Sequence, residues 1–173
     1  MAINRLTRNK DPLFWSKHHP GLNCGSFALN LLKWYVPYGE WTDDGYDMDE
    51  REDWMHEMWE NDYPMEDIEE FVLERDWEHI LKDCPWLIPI DTLEGTAADD
   101  RIIAYRVYVK DDDGYLDDDF HFRVRINGFW FDKCGTEKIR FLGTEADEEP
   151  WESEDGDLIY TSTIKYAKFK ELI

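Results

Sequence analysis

The stretch from Phe120 to Cys134 constrains the fold of this chain more than any other. Phe120, Phe122, Val124 and Ile126 alternate with His121, Arg123 and Arg125, the period of two expected of a β-strand. Asn127-Gly128 follows, then Phe129-Trp130-Phe131-Asp132. Asn-Gly suits a two-residue hairpin turn because both of its central positions need a positive φ. Such a turn fixes register: Ile126 opposes Phe129, Arg125 opposes Trp130, Arg123 opposes Asp132, and His121 opposes Cys134. His121, Arg123, Arg125, Trp130, Asp132 and Cys134 then share one face. Asp132 is the diagonal neighbour of His121, at a Cβ separation of roughly 7 Å or less, where a carboxylate can orient an imidazole.

The hairpin belongs to a larger sheet. Upstream, Ile103, Tyr105, Val107 and Val109 alternate before the turn-rich Asp111-Asp112-Asp113-Gly114; downstream, Ile139 to Leu142 reads as another strand. Residues 145–156 read as an acidic loop, and Leu158 to Ile173 as a final strand or short amphipathic element. The N-terminal part has the helical period instead. Phe27, Leu31 and Trp34, with Ala28 and Leu32 beside them, predict a helix running from Cys24 until Pro37 stops it. Asn23 is a good N-cap, which puts Cys24 in the first turn, where free N–H groups and the helix dipole favour an anion. Met48, Met55 and Trp59 predict a second helix. Leu73, Trp77, Ile80, Leu81 and Cys84 predict a third beyond Pro64. The expected architecture is a single α+β domain over 1–173, with an acidic helical insertion at 41–100 and an antiparallel sheet at 101–173.

These elements bring together the parts of a thiol hydrolase. A thiolate is the nucleophile, an imidazole moves its proton, and a third acceptor fixes the imidazole tautomer; Cys24, His121 and Asp132 are the candidates. Three blocks carry a resemblance. Asn23-Cys24-x-x-Phe27-Ala28-Leu29, Asp119-Phe120-His121-Phe122 and Gly128-x-Trp130-x-x-Lys133-x-Gly135 resemble a papain-like cysteine hydrolase group of bacterial and phage proteins, distantly similar to NlpC/P60-type peptidases. Tyr166-x-x-Phe169 resembles the group's closing strand. The blocks cover about a quarter of the 173 residues, and 41–100 has no counterpart in the group. The resemblance implies a papain-like fold, with Cys24 as nucleophile and His121 as base. It implies Asp132 as third member, at a position where the group commonly carries histidine. His18, His19 and Asn23 lie where papain-like enzymes supply an oxyanion donor, and Trp130 is a supporting residue of the second strand.

Each assignment competes with a plainer one. Cys24 suits an apolar core, His121 suits the polar face of a half-solvated hairpin, and Asp132 suits a cross-strand ion pair with Arg123. Zinc on Cys134 and His121 lacks the short CxxC or HxxxH spacing of structural sites. Aligning Gly114 with the glycine of a calcium loop puts Val109 and Phe120 at ligand positions. No cofactor or metal is expected.

Charge separates the partner classes. The net charge is -22, and residues 41–101 alone hold about -18 of it. Such a field repels nucleic acid and favours a basic protein substrate or partner. Three cysteines suit reduced thiols. No apolar stretch approaches the ~20 residues of a membrane span, and the start of the chain lacks the apolar core of a signal peptide. A cytoplasmic protein is expected, in the host cytoplasm if the chain is phage-encoded. Two functions follow. One is a thiol hydrolase or transferase of peptidase or amidase type. The other is a non-catalytic acidic inhibitor of papain-like fold, an anti-defence nucleic-acid mimic that occupies a basic groove on a host protein.

Overall fold

The computed structural model describes residues 21–37, 39–42, 45–48, 51–153 and 155–170. Three helices are present among them: α1 (Cys24–Leu29), α2 (Arg51–Glu60) and α3 (Met65–Asp83). The strands are β1 (Gly39–Thr42), β2 (Gly45–Met48), β3 (Leu87–Ile90), β4 (Ile102–Asp111), β5 (Leu116–Ile126), β6 (Phe129–Lys133), β7 (Ile139–Gly143), β8 (Trp151–Glu152), β9 (Ile159–Tyr160) and β10 (Lys165–Phe169).

Six strands form one sheet in the order β3-β10-β4-β5-β6-β7, antiparallel throughout. The fold is α+β, as the sequence predicts. The hairpin register also follows the prediction: Arg123 opposes Asp132, Arg125 opposes Trp130 and Ile126 opposes Phe129. Asn127 and Gly128 take positive φ of 51° and 84°, as this tight turn requires. The β5–β6 ladder ends at the Arg123–Asp132 pair and β6 itself at Lys133, so Cys134 lies just outside the paired strand.

One face of the sheet carries the main core. Tyr105 and Val107 of β4 and Phe120, Phe122 and Val124 of β5 pack against Phe27, Ala28 and Leu29 of α1 and Ile68, Val72, Leu73 and Ile80 of α3. The other face is also covered. Ile102, Ala104, Tyr108 and Trp130 meet Trp151, Tyr160 and Tyr166. Burial on both sides is why β4 reads almost continuously apolar, and it corrects the expectation of a half-solvated hairpin.

Four further expectations are corrected. The first helix ends at Leu29 instead of running to Pro37. Asn30 adopts the left-handed conformation (φ 59°), its N–H bonds Phe27 O, and Leu31 N–H bonds Ser26 O, a helix stop that asparagine can supply. Met48 lies on β2 and not on a helix. The 41–100 segment is no purely helical insertion, because Leu87–Ile90 forms an edge strand paired with β10 and α3 builds the core. Residues 145–156 contain β8, whose Trp151 is 1% exposed. No helix among the described residues is long and apolar enough to cross a membrane.

Candidate functional site

Asn23 begins the site. Its carboxamide oxygen accepts from Ser26 N–H (3.1 Å), Ser26 Oγ (2.7 Å) and Tyr35 N–H (3.2 Å), while its Nδ2 donates to Tyr35 O (2.6 Å). One buried side chain thus caps α1 and clamps the returning chain to it. These bonds give Asn23 a structural task at the start of α1. Gly25 permits the close fit: a Cβ there would sit 3.0 Å from both Tyr35 Cδ1 and Tyr35 O, and 3.3 Å from Phe122 Cε2. The first turn of α1 is therefore pressed against β5.

Cys24 is 5% exposed. Burial pushes its thiol up to about 12; the negative charges of Asp119 and Cys134 add to the rise, and the main-chain N–H groups of Phe122 and Gly25 oppose it. Desolvation outweighs what a six-residue helix can offer an anion. Burial thus favours the neutral thiol over the thiolate in the resting side chain. The N–H of Phe122 that reaches the sulfur belongs to the residue directly after His121.

His121 is 2% exposed. Its Nε2 lies 2.8 Å from Asp132 Oδ2. The ring stacks on Tyr160 at 5.2 Å between centroids and meets Trp151 edge-on at 6.2 Å. Asp132 is fully buried. Burial alone would raise its carboxyl, but hydrogen bonds from His121 and Arg140 and the charge of Arg140 prevail and hold it at about 2. Arg140 binds it bidentately, Nε to Oδ1 at 2.7 Å and a terminal nitrogen to Oδ2 at 2.6 Å, and Arg123 Nε stands 3.8 Å from Oδ2. An ionised carboxylate only accepts, so Nε2 of His121 carries hydrogen and Nδ1 is the basic nitrogen. Among the described residues no hydrogen bond joins the Cys24 thiol to His121.

Cys134 is the third neighbour: one atom each from His121, Asp132 and Cys134 lie within 4.8 Å of one another. These are metal-ligand types, yet the carboxylate is already neutralised by guanidinium groups, and a divalent cation would stand against Arg140 and Arg123. The trio is better matched to hydrogen bonding. Trp130 is buried on the face that carries Asp132, and it lines a recess of about 80 Å³ with Arg123, Asp147 and Trp151. His18 and His19 lie outside the described residues.

The pattern of residues gave no warning of the cover. Trp151 is held between Arg123 (4.3 Å) and Arg106 (5.4 Å), and its indole N–H donates to Asp147 O at 2.9 Å. Tyr160 donates to Asp119 Oδ2 at 3.0 Å. Trp151 stands alone in an acidic, turn-rich run, too little to assign it a partner, and Tyr160 merely closes the short apolar run Leu158-Ile159-Tyr160. Arg140 was equally hidden, because β7 reads as a strand without saying which of its residues face β6.

No protein-family description, curated protein or solved structure matches this chain.

Proposed function

We propose that the chain is a papain-like thiol hydrolase or transferase that forms an acyl intermediate on Cys24. The observation that carries this reading is the buried Nε2–Asp132 bond. It fixes His121 with Nδ1 as its basic nitrogen, one residue before the N–H that reaches the Cys24 sulfur. Because the resting thiol is neutral, His121 acts as a general base during attack and not through a standing ion pair. The Cys24 proton passes to Nδ1 while sulfur bonds to the carbonyl carbon of an amide, isopeptide or thioester. Nδ1 returns that proton to the departing amine or thiol as its bond to carbon breaks. A water or an acceptor amine, deprotonated by His121, then attacks the acyl carbon; the carbon–sulfur bond breaks and His121 returns the proton to the sulfur, restoring the thiol. A basic protein substrate or partner suits the acidic surface.

The test is alkylation by iodoacetamide near neutral pH, followed residue by residue by mass spectrometry. Burial suppresses spontaneous ionisation of Cys24, so rapid labelling reports proton removal by His121. Cys24 should label faster than the buried Cys84, and His121→Ala should abolish the difference. Equal, slow labelling of both sites sinks the hydrolase.

One observation favours a second reading. Cys24 and His121 are both almost sealed from solvent, which suits a papain-like fold kept for binding a basic host protein through its acidic surface. That reading predicts binding that weakens with salt and survives Cys24→Ala.

A further inference from the structure

Helices α2 and α3 contact each other across the short connection 61–64 and border a groove of about 470 Å³, lined by Trp54, Glu57, Met58, Asn61, Tyr63 and Phe71. Trp54 and Met58 lie four residues apart, so α2 turns one face toward it, and Asn61 and Tyr63 of the connection close its end. Trp54 and Tyr63 are each 49% exposed, and the Trp54 and Phe71 rings touch at 5.8 Å between centroids. Aromatic side chains left in water on a helix pair are costly unless something covers them. The inner faces of these helices build the core through Met55, Ile68 and Val72, with Met58 and Phe71 partly buried against it, which leaves Trp54 and Tyr63 as the exposed aromatics of the groove.

The surroundings state the charge of the occupant. Residues 51–83 carry thirteen carboxylates against Arg51, Arg75 and Lys82. Arg51 is buried in ion pairs with Asp76 and Asp118, so it contributes little positive charge to the surface. Glu57 lines the groove, and Asp53, Glu60, Asp67 and Glu70 are exposed on the same two helices. An apolar floor under an anionic rim matches a segment that offers apolar side chains on one face and lysines or arginines beside them. Nucleic acid and anionic membrane are repelled by the same rim.

We infer that the α2–α3 groove is a docking site for a cationic amphipathic helix of a partner protein. The site lies apart from Cys24 and His121 and stands whether or not the chain is a hydrolase.

The experiment titrates a fluorescent amphipathic Lys/Leu helix into the full chain and reads anisotropy and tryptophan emission. Two control peptides accompany it, one with Lys replaced by Glu and one with Leu replaced by Ser. The Lys/Leu peptide should bind, and both controls should bind at least about tenfold more weakly. Trp54→Ser with Tyr63→Ser, both exposed, should cost about tenfold or more at unchanged thermal stability, and Glu57→Lys with Asp67→Lys should weaken binding and flatten its salt dependence. Cys24→Ala should bind normally, which separates this site from the proposed chemistry. Equal binding of the Lys/Ser control, or full binding by the Trp54→Ser, Tyr63→Ser protein, would overturn the groove in favour of a diffuse acidic surface. Absence of Lys/Leu binding would overturn it outright.

Discussion

At the scale of single residues, the site turns on two groups whose surroundings push them in opposite directions. Cys24 is held neutral by burial, with its thiol at about 12. Thiolate ultraviolet absorbance, taken as the difference between the protein and Cys24→Ser, should therefore be absent at neutral pH and emerge only in strong alkali. A thiolate signal at pH 7 would show that burial does not govern this sulfur. Asp132 is held ionised and answers to three partners, His121, Arg140 and Arg123. Asp132→Asn keeps the shape but removes the charge, leaving two guanidinium groups facing a neutral amide. Breaking a buried ion pair in this way costs roughly 3–5 kcal/mol, to be read as a lowered denaturant midpoint. In the hydrolase it should also slow Cys24 alkylation, because the imidazole loses the acceptor that sets its tautomer. Arg140→Gln should destabilise through the same carboxylate yet leave the His121 tautomer, so stability and alkylation should separate between the two variants. Asp132 was legible as a neighbour of His121 because hairpin register is arithmetic. Its engagement by Arg140 required knowing how β7 lies on β6, which no local pattern encodes.

At the scale of elements, α1 depends less on helix propensity than on two tertiary devices. It has six residues, too few to persist alone. The Asn23 carboxamide ties its start to Tyr35, and Gly25 lets it approach β5. Gly25→Ala places a methyl group against the fixed carbonyl of Tyr35. It should cost about 1–3 kcal/mol through displacement of the helix, with a chemical-shift change at Phe122 N–H as the helix moves off the strand. Unchanged stability and an unchanged Phe122 amide would show that α1 is not pressed onto the sheet as tightly as the geometry states. The long elements β4, β5 and α3 were readable because their apolar periods are unbroken. Where the sequence reading went astray, a single residue overrode the period: Asn30 turned left-handed and ended a helix whose apolar spacing continued. The cover over His121 escaped for a different reason. β8 and β9 have two residues each, shorter than any periodicity can register, and they are held by Arg106 bonding the carbonyls of Ser162, Glu148 and Glu149.

At the scale of the whole molecule, charge sets how stability follows pH. Asp76 lies fully buried beneath α2. It receives Arg51 Nε at 2.8 Å and Tyr105 Oη at 2.9 Å. Burial nevertheless raises its carboxyl to about 6, against the attraction of Arg51. The folded chain thus holds a proton on Asp76 between about pH 6 and the ordinary 3.8, where the unfolded chain has released it, so this group adds stability as pH falls through 6. The net charge of -22 acts in the same direction, since partial protonation relieves repulsion. Asp132 acts oppositely. Its folded value of about 2 lies below the unfolded 3.8, so its contribution is complete above 3.8 and is lost as pH falls toward 2. Each of the two linked shifts is of order 1–3 kcal/mol. The melting temperature should therefore rise from pH 7.5 to a maximum near pH 5 and drop steeply below pH 4. Asp76→Asn should flatten the first limb and leave the second in place, whereas Asp132→Asn should lower the whole curve and soften the acid limb. A melting temperature that falls monotonically from pH 7.5 downward would mean that the Arg51–Asp76 pair outweighs its burial, and that α2 is anchored by charge attraction and not in spite of it.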